Sequence, residues 1–280
     1  GGHTRQIAEK IAPHGKVLSI EWDAETLQRT KASFSSAERK RIQFVHSNFA
    51  QLKEIVGKEK FGLIHGILFD LGFSSDQLEA SGRGFSLQKS EPLDMRYDEQ
   101  HPITAEKILN YSSRQELEHI LREYGEEQFA ADIVEAIVRE RVTKPFQKTS
   151  QLTAVIKQAV PKKYQQRKIH PATKTFQALR IAVNDELENL KAALSQARNI
   201  LAPNGKIVVI SFHSLEDRMV KQFMRRESRG EAPPAYIPVR DDTISRRLKT
   251  VGKAIKAGDE ELSSNQRARS AVMRVAQRLA

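Results

Sequence analysis

Two glycines and a distant acid are the first residues that suggest chemistry. Gly1-Gly2-His3 leads into the helix-forming stretch Thr4–Ile11, and the apolar run Val17–Ile20 ends on Glu21. Glycine backbone lets a ligand approach closely, and a carboxylate about 20 residues further on is placed to accept ribose hydroxyls. The pattern predicts an adenosine-containing cofactor and nothing finer, because a dinucleotide is held the same way. A strand ordinarily precedes such glycines, so one is expected upstream of Gly1.

Two more apolar runs end on polar groups. The first is Ile67-Leu68-Phe69-Asp70-Leu71-Gly72-Phe73-Ser74-Ser75 and the second is Ser211-Phe212-His213-Ser214-Leu215-Glu216-Asp217-Arg218. Open α/β sheets bind ligands beyond the carboxyl ends of their strands, which makes Asp70, His213 and Ser214 candidates. The plainer readings are a strand-closing turn at Asp70 and a helix cap at Ser214, with the helix starting at Leu215. A Ser-His-Asp hydrolase is disfavoured, since no Gly-x-Ser-x-Gly elbow exists in the chain. His170, in His170-Pro171-Ala172-Thr173, either caps a helix or meets a nucleobase. The eight histidines form no His-x-x-x-His pair, so no metal site is expected.

These residues need a scaffold. Strands are predicted over Lys16–Glu21, Ile42–His46 and Leu63–Asp70. Helices are predicted around Ala24–Ser33 and Phe49–Val56, and such alternation implies a parallel sheet covered by helices. From about residue 80 to 170 the periodicity is helical, with amphipathic segments at Glu116–Leu121, Phe129–Arg141 and Gln151–Val160, and Ser112-Ser113-Arg114-Gln115 reads as a helix start, Ser with Gln nearby. From Pro171, apolar residues recur at three- or four-residue spacing through Leu194, which predicts one long helix. Pro203-Asn204-Gly205 reads as a turn before a strand over Lys206–Phe212. Ser270–Gln277 fits either a strand or a short helix, and Arg226–Gly258 reads as an exposed loop. The fold class is α/β with a helical insertion.

Composition narrows the partners. The chain has 280 residues, 39% hydrophobic and 29% charged, with no cysteine and a net charge of +11. Disulfides, thiolate metal sites and cysteine nucleophiles are thereby excluded, and no apolar run reaches the roughly 18 residues of a membrane span. No signal peptide is visible, and a cytoplasmic protein is expected. Between Arg141 and Asn184 there is no acid, while Lys162, Lys163, Arg167, Lys174 and Arg180 all lie there. A stretch of one sign repels itself unless an anion relieves it, so this segment is expected to bind nucleic-acid phosphates.

Taken in order, the motifs Gly1-Gly2-His3, Ser47-Asn48-Phe49, Asp70–Gln77, Arg83-Gly84-Phe85-Ser86, Pro92–Arg96, Tyr124–Glu127, His170–Thr173, Phe176–Arg180, Ser211–Arg218 and Asn265–Ser270 resemble the bacterial RsmH (MraW) methyltransferases over nearly the whole chain. The resemblance implies a Rossmann-like class I methyltransferase sheet over residues 1–80 and 171–280, with a helical RNA-recognition insertion over 81–170. It implies S-adenosyl-L-methionine as cofactor, held by Gly1, Gly2, His3, Glu21, Phe49, Asp70 and Gln77. Glu21 stands where the family often has Asp. The implied substrate is 16S rRNA in the small ribosomal subunit, methylated at N4 of a decoding-centre cytidine. Asp70 is the expected acceptor at the amine, with His213 and Ser214 as second candidates. His170, Lys174, Arg180, Lys162, Lys163 and Arg167 are expected at the RNA, with Arg225, Arg226, Arg229, Arg246 and Arg247 beside them. A homodimer is left open. The competing classes are a non-catalytic ribosome-assembly protein and an NAD-linked oxidoreductase.

Overall fold

A computed structural model describes residues 1–79, 81–230 and 246–280. The chain divides into two compact units, Gly1–His46 with Phe73–Glu186 and Ser47–Gly72 with Leu187–Ala280. Strands and helices, numbered in chain order, are shared between them.

The first unit opens with α1 (Gly2–Lys10), β1 (Val17–Glu21), α2 (Ala24–Ala32), α3 (Ser36–Arg39) and β2 (Ile42–His46). β1 and β2 pair in parallel, from Val17 opposite Ile42 to Glu21 opposite His46. Caps set the helix starts: Asp23 accepts from the backbone of Glu25 and Thr26 at the head of α2, and Ser35 with Glu38 forms a reciprocal box on α3.

The unit continues through α5 (Ser75–Glu79), α6 (Ala105–Tyr111), α7 (Arg114–His119), α8 (Ala130–Thr143), α9 (Thr149–Ala159), α10 (Lys162–Gln165) and α11 (Thr173–Asn184). The helix start expected at Ser112–Gln115 is there: Ser113 caps α7, and its partner in the box is Glu116, not Gln115. The apolar faces of these helices close on one core that includes Leu109, Leu117, Leu121, Ile133, Ile137, Phe146, Leu152, Ile156 and Leu179. Here the predicted helical periodicity is the packing itself.

The single long helix expected from Pro171 to Leu194 is two. α11 stops at Asn184, Asp185 turns left-handed at φ 48°, and α12 (Glu186–Ile200) begins directly after it. Asp tolerates that conformation better than most residues, and the apolar spacing runs on through the break, so periodicity alone hides it. Asn184 makes the break worthwhile. Its Oδ1 accepts from the Tyr97 N–H at 2.8 Å, and its Nδ2 donates to the carbonyls of Met95 at 2.7 Å and Arg180 at 2.9 Å.

The second unit holds α4 (Leu52–Lys58), most of α12, and strands β3 (Ile64–Asp70), β4 (Leu201–Ser211), β5 (Leu248–Thr250), β6 (Ile255–Lys256) and β7 (Val272–Arg278), with α13 (Ser214–Arg229) and α14 (Asp259–Ser264). The sheet order is β3-β4-β7-β5, and β6 also pairs with β7. β3 and β4 are parallel, while β7 runs antiparallel to β4, β5 and β6, so the sheet is mixed. The last segment is therefore a strand. The expected turn at Pro203–Gly205 is absorbed into β4 as a register shift, with Asn204 at φ 64°. The expected loop from Arg226 to Gly258 is only partly one: α13 reaches Arg229, β5 and β6 occupy its far side, and its residues 231–245 lie outside the described residues. Among the described residues no helix is long and apolar enough to cross a membrane.

Asn184 is fully buried and satisfies three backbone groups. Replacing it with Leu strands the Tyr97 N–H and the Met95 carbonyl, and each unsatisfied buried group costs about 1–3 kcal/mol. Urea unfolding of Asn184→Leu is expected to show a loss of at least about 2 kcal/mol.

Candidate functional site

Each unit carries a group of strand-end residues. In the first unit, Gly1 caps α1 and Gly2 and His3 form its first turn, so the glycines present a helix start. A Cβ on Gly1 would stand 2.8 Å from Thr30 Cγ2 and 2.9 Å from the Phe34 ring, so only glycine permits this packing. A Cβ on Gly2 would meet nothing within 4 Å, leaving backbone open toward any ligand.

Glu21 closes β1. Its Oε1 accepts from the Asp23 N–H at 3.0 Å. Burial raises its pKa above 4.5, aided by the nearby Asp23 charge and opposed by the backbone hydrogen bonds from Asp23 and Trp22. Two residues on, Asp23 is only 2% exposed. Its Oδ1 accepts the amides of Glu25 at 3.0 Å and Thr26 at 3.2 Å, and its Oδ2 accepts Gln77 Nε2 at 2.9 Å and a short bond from Arg83 Nη2. Desolvation would raise the Asp23 pKa, but the hydrogen bonds from Arg83 and Gln77 outweigh it and hold it below 3.8. Gln77, expected at the cofactor, spends its amide here: Oε1 accepts from the Ser74 N–H at 2.7 Å while Nε2 holds Asp23.

Trp22, between the two acids, lies edge-on to Tyr97 and His101 at 6.2 and 6.4 Å. Tyr97 stacks on Phe85 at 5.8 Å, and Phe85 on Phe73 at 5.7 Å. Sequence reasoning misses Asp23 and gives Arg83 no role. An Asp just ahead of a helical run signals a cap, yet nothing local announces a cation 60 positions away.

In the second unit the carboxyl ends of β3 and β4 lie side by side. Asp70, exposed, stands opposite Ile210, and the Leu71 N–H extends the ladder to the Ile210 carbonyl at 3.0 Å. Gly72 then turns at φ 84°, where a side chain would be strained. Phe49 lies just after its Asn48 cap and meets Phe69 edge-on at 5.8 Å. On the β4 side, Ser211 is 1% exposed and its hydroxyl has no hydrogen-bond partner among the described residues.

The expected cap at Ser214 is corrected. Ser214 is the first residue of α13, and Glu216 does the capping by accepting from the N–H groups of Phe212 at 2.8 Å and His213 at 3.4 Å. The His213 Nε2 lies 3.2 Å from Glu216 Oε1, but neither ring nitrogen has a hydrogen-bond partner among the described residues. Asp217 is bound to Arg274 through bonds of 2.7 and 2.9 Å, which removes the third member of any triad.

The basic candidates separate. Lys162, Lys163 and Arg167 are exposed on and beside α10. Tyr164 anchors that turn: its hydroxyl donates to the buried Glu127 carboxylate at 2.9 Å, while Arg167 lies over its ring at 4.7 Å. Burial, then Glu127, pushes the Tyr164 pKa to about 12. His170 Nδ1 accepts from the Ala172 N–H at 3.2 Å just ahead of α11, and burial, then Lys157, lowers its pKa. Lys174 Nζ donates to the Glu126 carbonyl at 2.6 Å. Arg180 is turned inward, bound to Glu186 at 2.7 and 2.9 Å and stacked over Phe73 at 4.8 Å.

A mixed α/β chain with candidate ligand groups at its strand ends is a Rossmann-like methyltransferase architecture. The chain belongs to the MraW methylase family, whose model matches residues 1–279. It is 44% identical over its whole length to a protein of Legionella pneumophila named ribosomal RNA small subunit methyltransferase H, covering 90% of that protein. Proteins of the same name from Thioalkalivibrio sulfidiphilus and Methylococcus capsulatus are 44% and 45% identical, again over all of this chain and over 88% and 92% of theirs. The protein is a methyltransferase by family, and so requires a methyl donor.

Because the folded-state pKa of Asp23 is depressed, its stabilisation is present above the unfolded value near 3.8 and fades as pH falls through the lower folded value. Asp23→Asn is expected to flatten the stability loss below about pH 4 relative to the unaltered protein. Urea unfolding at a series of pH values measures it, and parallel curves would refute it.

Proposed function

We propose that the protein transfers a methyl group from S-adenosyl-L-methionine to N4 of a decoding-centre cytidine in 16S rRNA of the small ribosomal subunit. The observation that carries this reading is end-to-end similarity to proteins named for small-subunit rRNA methylation, joined to an acid at the end of β3. Such a substrate would place its work in the cytoplasm.

The chemistry of the proposed residues suits the cofactor. Gly1, Gly2 and His3 offer the backbone of a helix start, open at Gly2, Glu21 offers a carboxylate for ribose hydroxyls, and Phe49 offers a half-buried ring for adenine. Asp70 and Gln77 complete the proposed set, and the Gln77 amide also binds Asp23. Bound, S-adenosyl-L-methionine supplies an electrophilic methyl group.

The protein's own work is mainly placement, and orientation of this kind contributes roughly 7–11 kcal/mol in favourable cases. Cytidine N4 is a weak nucleophile because its lone pair is delocalised into the ring. A hydrogen bond from the amine to Asp70 favours a more tetrahedral nitrogen, and Asp70 accepts the proton that N-methylation releases. His213 and Ser214 are proposed to steady the base, which must leave its stack to be reached. Residues 81–170 are proposed to read the RNA, with 1–80 and 171–280 carrying out transfer. Lys162, Lys163 and Arg167 are the proposed phosphate contacts, with His170 beside them. Lys174 and Arg180 support the fold around them, given their internal bonds.

Small ribosomal subunits from a strain lacking this activity are the test substrate. Incubated with the protein and labelled S-adenosyl-L-methionine, they are expected to gain label at one cytidine N4, whereas an assembly factor or an oxidoreductase leaves them unlabelled. Asp70→Asn is expected to lower kcat by about 10²-fold, the lower range for a positioned acid or base. Joint replacement of Lys162, Lys163 and Arg167 by Ala is expected to reduce the log–log salt slope of RNA binding by roughly 2–3, at about 0.7–0.9 per phosphate contact.

A further inference from the structure

Three consecutive residues at the end of β1 have three different tasks. Glu21 is the proposed ribose acid, Trp22 packs on Tyr97 and His101, and Asp23 binds Gln77 and Arg83. Arg83 is held in turn by the carbonyls of Arg96 at 3.2 Å and Tyr97 at 3.0 Å. An N-cap needs none of this, since an exposed serine or aspartate caps a helix without a cation. A buried ion pair also stabilises a fold less than apolar side chains of the same volume often do, because both charges lose their water. The cap therefore does not account for the pair, but its geometry does. The Asp23 N–H is the donor that fixes Glu21 Oε1, and Asp23 is itself fixed from four directions.

We propose that Asp23 and Arg83 are positioning residues for the cofactor acid Glu21, so that cofactor affinity depends on the packing of the 83–97 segment against the end of β1. This rests on the reading of Glu21 as the ribose acid. The pair touches no cofactor; it holds the residue that does. The same network gives Gln77 a role through Asp23.

A double-mutant cycle tests the proposal, with S-adenosyl-L-methionine affinity read by titration calorimetry and folding read by thermal unfolding. Asp23→Asn keeps the cap acceptor but leaves Arg83 unpaired. It is expected to weaken affinity about tenfold in the unaltered protein and less than about twofold in a Glu21→Gln background, a coupling ordinary for residues that act through one another. An equal loss in both backgrounds, or no loss in either, overturns the proposal.

Should Asp23→Asn unfold, Asp23→Asn combined with Arg83→Met removes both buried charges. That protein is expected to recover its unfolding temperature while its affinity stays low. Recovery of affinity together with stability would mean that the pair only stabilises the fold. Absence of any binding by the unaltered protein strikes the cofactor reading itself and removes the ground for this inference.

Discussion

A carboxylate and a guanidinium buried together hold the end of β1. Neither Asp23 nor Arg83 is tolerable there alone, because an unpaired buried ion costs several kcal/mol. Their contact therefore makes two distant stretches of chain settle at once. The chain beyond Arg83 is shaped to suit. Gly84 turns at φ 81°, its N–H donates to Glu91 at 3.0 Å, and a Cβ there would collide with the Pro92 carbonyl. From this turn the chain leads to Met95 and Tyr97, which Asn184 fastens to the end of α11. The first unit is thus tied by buried polar contacts as well as by aliphatic packing.

The second unit solves a different problem. Methyl transfer asks for alignment more than for strong acids or bases. The ends of β3 and β4 supply few groups, each set by backbone: Asp70 by its place opposite Ile210, the adjoining turn by Gly72, and the start of α13 by Glu216. A hydroxyl at Ser211 that finds no partner among the described residues is unusual for so buried a group and marks the strand end as a place where polarity is available.

Local signals are legible where a residue acts on its neighbours. β2 and α2 fall where the alternation of strand and helix places them, and the helix start beside Ser113 needs only the partner Glu116. The helical packing of Leu117, Ile133 and Ile156 is written in their spacing. Hidden from the sequence is whatever depends on distance or on a single torsion angle. Asp185 breaks a helix without disturbing its apolar rhythm, and Pro203-Asn204-Gly205 carries turn residues that the sheet tolerates as an irregular register. Arg180 reads like any other cation of the acid-free stretch, because Glu186, which holds it, lies just beyond that stretch. Asp23 stays hidden for the same reason: its partner comes from across the unit.

β7 has a consequence for how the molecule is made. It follows β4, β5 and β6 in the sequence, yet it lies between β4 and β5 and also pairs with β6. On the ribosome, β3 emerges early and must wait for β4 until the whole helical segment has been synthesised. β4 then waits for β7 with one edge bare. Unpaired strand edges recruit foreign strands, so nascent chains of this protein are most vulnerable to aggregation in the interval before β7 emerges. Chaperone demand should therefore concentrate there, and early termination that removes β7 would yield a sticky species rather than a merely inactive one.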